Sequence, residues 1–325
     1  MKHKCLYCYE SLSGEADFHE TCSLSFFGTK EAPKLEYSLN QMSELAKNVI
    51  DRSISVPGVQ AKLSMSLINK VKDAGNFRLT VVGALGGNYI FKPPSSEYPE
   101  MPQNEHLTMR IAEIFGIQTV PSSLIRLQSG ELSYITKRID RTEDNQKIHM
   151  LDMFQITEAF DKYKSSMEKV GKALRTHSAN TLLDLVFFFE LTLFSFLTGN
   201  NDMHLKNFSM IKSTWGWLLA PAYDLLNVSI ANPDDNEELA LTIEGKKSKL
   251  QRKHFENLGT GLGLTEKQIS SVFNRFYKKK GNAIKWVNNS FLSNTMKEKY
   301  IDLVNNRYDR IYSPSPSLDK PLLIL

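Results

Sequence analysis

The chain has 325 residues, 41% hydrophobic and 23% charged, enough for one large domain or two lobes around a real core. Its 40 basic and 36 acidic residues leave a net charge of +4, too mild a surplus to indicate nucleic-acid binding by itself. No apolar stretch follows the first residues, and the longest apolar run, Leu185 to Leu197, is broken by Glu190 and preceded by Asp184, so neither a secretory signal nor a membrane span is expected and the cytoplasm is the expected location.

Residues 1–30 form the first segment and hold all three cysteines, in Cys5-x2-Cys8-x10-His19-x2-Cys22. Two x2 pairs let each tight turn supply two ligands, which suits tetrahedral zinc. A short segment also needs a staple to fold. Zinc held by four protein ligands would be structural, since no position stays open for substrate. Buried thiols beside a surface histidine are the other reading, and both stay open. Disulfides are not expected in a reducing compartment.

An irregular stretch at Glu31-Ala32-Pro33-Lys34 leads to a helix over Ser38 to Ile50, with Met42, Leu45, Ala46, Val49 and Ile50 on one stripe and Ser38 or Asn40 as cap. Ser53 to Lys62 reads as a turn between extended segments. Gly58 would let backbone N–H groups approach a phosphate, although such a stretch taken alone is more often a plain hairpin. Phe77 to Val82 and Tyr89 to Lys92 are β-prone runs separated by glycines. Lys92, stopped by Pro93-Pro94, is either a phosphate clamp or a snorkelling surface lysine. A helix capped by Asn104 runs to Phe115 and ends at Gly116, with Glu105 either pairing with Lys92 or complementing the helix dipole. Leu124 to Leu127 and Glu131 to Lys137 form a hairpin.

Residues 150–310 read as mostly helical. An apolar helix over Thr181 to Thr198 runs into Gly199-Asn200-Asn201-Asp202-Met203-His204-Leu205-Lys206-Asn207-Phe208. An Asp and an Asn separated by four residues is the spacing of a kinase catalytic loop, where the Asp accepts the proton of the attacking hydroxyl and the Asn holds magnesium. Two strand-like runs, Phe208 to Ile211 and Trp215 to Leu219, precede Asp224, where a second metal-binding Asp belongs. Amphipathic helices fill residues 264–310, and Ser313 to Ser317 is a mobile terminus. A strand-rich half followed by a helix-rich half predicts an α+β, two-lobed, protein-kinase-like fold. The expected divisions are 1–30 (Cys/His segment), 31–140 (nucleotide lobe) and 141–325 (helical lobe).

Over roughly residues 50–310 the chain resembles the HipA-type Ser/Thr kinases, toxins of bacterial toxin–antitoxin modules. The resemblance rests on Ser55-Val56-Pro57-Gly58-Val59-Gln60-Ala61-Lys62, Lys92, Asn104-Glu105, Arg138-Ile139-Asp140-Arg141, Asp152-Met153-x-Gln155, Gly199 to Phe208, Pro221-x-Tyr223-Asp224 and Gly245 to Leu250. It implies ATP and Mg2+ as cosubstrate and metal. It implies Asp202 as catalytic base with His204 and Lys206 in the same motif, Asn207 and Asp224 as magnesium ligands, and Lys92, partnered by Glu105, on the ATP phosphates. The Ser55, Val56, Gly58, Gln60 and Lys62 loop would cover the phosphates, and Lys137 to Ile139 would form the adenine hinge. Ser55, or Ser53, matches a serine whose autophosphorylation ejects the loop and switches the kinase off; a phosphate there would add about two negative charges where those of ATP belong.

The resemblance further implies a helix-turn-helix antitoxin as partner and a protein substrate such as an aminoacyl-tRNA synthetase. Longer members carry an additional β-rich subdomain before the Gly58-type loop. Its place here is taken by the Cys/His segment, as in the short, HipT-like form of the three-gene HipBST-type systems, so a separately encoded partner subdomain is expected. DNA contact is expected only through the antitoxin. The basic clusters Lys246 to Lys253 and Lys278-Lys279-Lys280 read either as phosphate contacts in such a complex or as solvated faces. A kinase-shaped corepressor or scaffold with little activity is the alternative function, and a small-molecule kinase a third.

Overall fold

The computed structural model describes residues 3–52, 62–69, 77–82, 86–95, 97–98, 100–142 and 144–313. The amino-terminal lobe comprises α1 (Glu20–Phe27), α2 (Leu39–Arg52), β1 (Leu63–Asn69), β2 (Phe77–Val82), β3 (Tyr89–Lys92), α3 (Met101–Phe115), β4 (Ser122–Arg126) and β5 (Leu132–Lys137). Its five strands form an antiparallel sheet in the order β2-β1-β3-β5-β4. The registers Leu63↔Phe91 and Lys92↔Tyr134 bring the start of β1 and the end of β3 to one edge, and so gather Lys62 and Lys92.

α3 begins at Met101, four residues ahead of the expected start, because Pro102 is tolerated in a first helical turn. Asn104 is therefore no cap. It lies inside the helix and is buried.

The second lobe comprises β6 (Met150–Asp152), α4 (Met153–Ile156), α5 (Met167–His177), α6 (Thr181–Leu197), β7 (Ser209–Ser213), β8 (Gly216–Leu219), α7 (Val228–Ala231), α8 (Arg252–Gly261), α9 (Glu266–Asn289) and α10 (Asn294–Tyr312). β6, β7 and β8 form a small antiparallel sheet. α6 is buried along most of its length, which its nearly unbroken apolar sequence requires. Both acids on it have partners, though Glu190 Oε2 is left without a hydrogen bond. Asp184 accepts Ser178 Oγ at 2.6 Å and Leu219 N at 2.7 Å, and Glu190 meets Arg275 at 2.6 Å. Phe115 of α3 packs edge-on against Phe194 of α6 and Phe276 of α9, so the two lobes share one core. The Asp152/Gln155 pair forms a capping box that starts α4 as the chain leaves β6.

The Cys/His segment packs on both lobes. Arg126 of β4 grips Asp17 through two carboxylate oxygens, and Tyr9 donates to or accepts from His106 Nδ1 at 2.9 Å while its ring meets Trp286 and Phe291. Lys4 Nζ donates to the Asn289 carbonyl at 2.8 Å, and Asn289 Nδ2 donates to the Tyr9 carbonyl at 3.0 Å. Among the described residues no helix is long and apolar enough to cross a membrane.

Candidate active site

The edge of the first sheet carries a charged cluster. Lys92 is 4% exposed; its Nζ lies 2.6 Å from Glu105 Oε1 and also bonds Asp224, while Lys62 Nζ stands 3.4 Å from Asp224 Oδ2. Burial works against the Lys92 charge, but Asp224 and Glu105 together hold its ammonium above the ordinary lysine value. Burial likewise penalises the Asp224 carboxylate, yet Lys62 and Lys92 outweigh it and hold the acid well below the usual range. Glu105 is pushed up to about 7 by burial against the pull of Lys92, with Asp224 adding to the rise. Two lysines thus neutralise Asp224, as a divalent cation would also do.

Backbone pairing fixes this cluster. Asn104 Nδ2 donates to the Asn227 carbonyl at 2.9 Å and Asn227 N donates to Asn104 Oδ1 at 2.8 Å, so the turn of α3 that carries Glu105 is tied to the segment that carries Asp224. Val120 N donates to the Ala222 carbonyl and Ala222 N to that of Gln118. Asp224 itself has φ 61°, in the left-handed region that non-glycine residues seldom adopt and that recurs at functional sites.

The loop that carries Asp202 and Asn207 leaves α6 through Gly199, at φ 71°, where a Cβ would fall 2.7 Å from Asn227 Oδ1. Asn201 Nδ2 holds the Glu237 carbonyl, and Asn207 Nδ2 donates to the Asp202 carbonyl at 2.9 Å. The latter bond sets the amide orientation, leaving Asn207 Oδ1 as the atom suited to a cation. Asp202 Oδ1 accepts the Tyr163 hydroxyl at 2.8 Å. Burial raises the Asp202 carboxyl and the Tyr163 bond pulls it back, while Asp224 and Lys62 also act on it, so loop and cluster lie within electrostatic reach. Burial lowers His204 to about 4, with Lys162 adding to the effect, so its imidazole is neutral at pH 7 and packs against the Tyr163 ring. Lys206 places its ammonium over the Phe154 ring, and its carbonyl accepts the Tyr223 hydroxyl at 3.0 Å.

A cleft of about 320 Å³ has walls that include Lys62, Lys92, Glu105 and Asp224 as well as Lys137 and Ile139. Arg138, beside them, is ion-paired with Asp140 at 2.7 Å. Asp202, His204 and Asn207 do not line this cleft; Lys206 and Asp224 connect it to their loop. Ser53, Ser55, Val56, Gly58 and Gln60 lie outside the described residues.

The ligand atoms of Cys5, Cys8, His19 and Cys22 all lie within 4.8 Å of one another. His19 Nδ1 is 3.4 Å from Cys8 Sγ and 3.8 Å from Cys22 Sγ, while Nε2 is 3.2 Å from the Ser11 carbonyl. The carbonyl can only accept, so Nε2 carries the proton and Nδ1 keeps the lone pair a metal needs, with Ser11 orienting the ring. Burial and the neighbouring sulfurs push the Cys22 thiol up to about 12, so the cluster would take up a cation by releasing protons. The donor set fits zinc.

Two functional residues escape sequence reasoning. Tyr163 meets Asp202 across 39 positions and Asn227 meets Asn104 across 123, with no local spacing to announce either contact.

The fold and the cleft define a two-lobed, protein-kinase-like protein. Residues 54–284 match the HipA-like C-terminal domain family, and the chain belongs to it. A Haemophilus influenzae protein named "Putative kinase" is 27% identical over 73% of this chain and 75% of its own length. The Shewanella oneidensis serine/threonine-protein kinase toxin HipA is 24% identical over 71% of this chain and 56% of its own length. A solved Shewanella oneidensis complex of HipA, HipB and operator DNA superposes with TM-score 0.65 at 21% identity, over 79% of this chain and 65% of that one, and shares the fold. The chain thus spans little more than half the length of the Shewanella toxin.

Proposed function

We propose that the protein is an ATP- and Mg2+-dependent serine/threonine protein kinase and the toxin of a toxin–antitoxin pair. The observation that carries this reading is the Lys92–Glu105–Asp224 cluster lining a cleft of about 320 Å³, within electrostatic reach of the Asp202–Asn207 loop. Bound Mg-ATP would supply the transferable phosphoryl group and the charge that Asn207 and Asp224 are suited to hold. Lys92 supplies a fixed positive charge that Glu105 keeps aimed into the cleft. Lys62 adds a second cation beside Asp224. Asp202 orients the acceptor hydroxyl and takes its proton. Lys137 and Ile139, which line the cleft, would serve as the adenine hinge, and Ser55 or Ser53 would be the autophosphorylated off-switch.

The Cys5, Cys8, His19, Cys22 cluster would hold a structural zinc that fixes residues 3–30 against both lobes. The helix-turn-helix antitoxin partner is supported by the likeness to HipA, which is seen with HipB and operator DNA. A separately encoded subdomain partner, an aminoacyl-tRNA synthetase as substrate and a cytoplasmic location complete the reading.

The test is intact-mass spectrometry of the purified chain before and after Mg-ATP, beside Asp202→Ala. Phosphate gained at Ser53 or Ser55 in the wild type and absent in the variant supports it. Phosphate gained equally by both would defeat it.

A further inference from the structure

Tyr163 is built into the catalytic loop, although nothing in its sequence surroundings marks it. Its backbone is pinned from both sides: Leu205 N donates to the Lys162 carbonyl at 3.1 Å, and Tyr163 N closes a turn on Asp161 Oδ1 at 2.9 Å. Its ring stands edge-on to His204 at 5.1 Å, with the Lys162 ammonium 4.8 Å from the ring centre. The ring remains 38% exposed, and its hydroxyl reaches Asp202 Oδ1 at 2.8 Å. Among the described residues this is the hydrogen bond that the Asp202 carboxylate accepts from a side chain.

A carboxylate on a loop turns freely about χ2 unless one oxygen is held. A general base must present its free oxygen to the acceptor within hydrogen-bond reach, and bases are commonly oriented by a third group. We infer that Tyr163 is the positioning residue of the phosphotransfer site: its phenol ties down Asp202 Oδ1 so that Oδ2 faces the incoming serine or threonine hydroxyl. The inference rests on Asp202 as catalytic base. The neutral His204 is the floor on which the Tyr163 ring sits, which gives that buried histidine a role without proton transfer.

The test compares Tyr163→Phe with Tyr163→Ala in the full chain, with Mg-ATP and casein as acceptor. A positioning phenol predicts that Phe, which keeps the ring and its packing, already lowers kcat about 10- to 100-fold. The Ala variant should fall little further, and both should keep the wild-type KM for ATP and, for Phe, the wild-type Tm. A ring that merely packs would leave Phe at wild-type kcat and only Ala impaired, and that result overturns the inference. A rise in kcat for Phe would overturn it too, since the phenol would then be competing with the acceptor for Asp202. A wild-type chain whose transfer survives Asp202→Ala unchanged would defeat the base assignment itself, a distinct outcome.

Discussion

The Cys/His cluster and the nucleotide cleft are both knots of ionisable groups, but they are assembled in opposite ways. The cluster draws Cys5, Cys8, His19 and Cys22 from one short segment into a closed set whose atoms all lie within 4.8 Å. The cleft draws Lys62, Lys92, Glu105 and Asp224 from four separate stretches of chain, and Lys62 meets Asp224 across 162 positions. A metal held by the closed set would have no position left for a substrate, so the use proposed for it is mechanical. The dispersed set presents charge to a cavity, so the use proposed for it is chemical. Removing a member should therefore cost the cleft its activity and the cluster its shape.

The largest expected effect is chemical and leaves the fold alone. Asp202→Ala should lower phosphoryl transfer by about 10³-fold or more while shifting Tm by no more than about 2 °C, because a loop aspartate buries little apolar area. Equal losses of activity and of Tm would blur the contrast between the two regions. Lys92→Met is expected to do both. It leaves Glu105 and Asp224 buried with one cation fewer, a loss of about 3 kcal/mol in urea unfolding. Adding Glu105→Gln should recover part of that stability without recovering transfer.

Cys22→Ser should remove bound zinc from the purified chain and lower Tm by about 5 °C, with residues 3–30 becoming the first site of proteolysis. Unchanged zinc content in that variant would dissolve the comparison.

The smallest effect is a matter of pH. Burial holds the His106 imidazolium well below its ordinary value, with Arg110 adding to the depression, whereas the unfolded chain protonates this ring near 6.5. The unfolded state therefore binds more protons, and the contribution is complete above about pH 6.5 and lost as pH falls below it, by about 1.4 kcal/mol per unit. His204, lowered to about 4, has the same sign. His106→Gln should show a shallower acid slope than the wild type in urea titrations at pH 7.5, 6.5 and 5.5. A parallel slope would mean that the ring gains its proton inside the fold. Tyr9→Phe, which removes the hydroxyl facing that ring, should cost about 1 kcal/mol at neutral pH.

What the sequence made legible follows the same division. Cys5 to Cys22 and Asp202 to Asn207 are local spacings, and the structure places each set together. The α6 helix and the β3 and β5 strands announce themselves by apolar run and alternation. Asn104 misled because Asn before an apolar helix usually caps it, whereas here Pro102 starts the helix earlier and the amide side chain reaches Asn227 instead. Lys92 stood between a phosphate clamp and a surface lysine until the fold supplied Glu105 and Asp224. Tyr163 was illegible for the same reason: its meaning lies in a partner 39 residues away. The roles of Ser53, Ser55 and Gly58 remain proposals, as they fall outside the described residues.

The docking of the Cys/His segment has a consequence for synthesis. Lys4 meets Asn289 across 285 positions, and Tyr9 packs on Trp286 and Phe291. At ribosomal speeds of roughly 5–20 residues per second, the seat for this segment emerges tens of seconds after the segment itself. The four ligands could take up the proposed zinc almost at once, since the set needs no other part of the chain. The small folded piece must then wait, with its aromatic underside in water, until α9 is made. Closing that contact waits on α9, so a ribosome that stalls before residue 286 leaves a chain whose Cys/His segment has nowhere to settle.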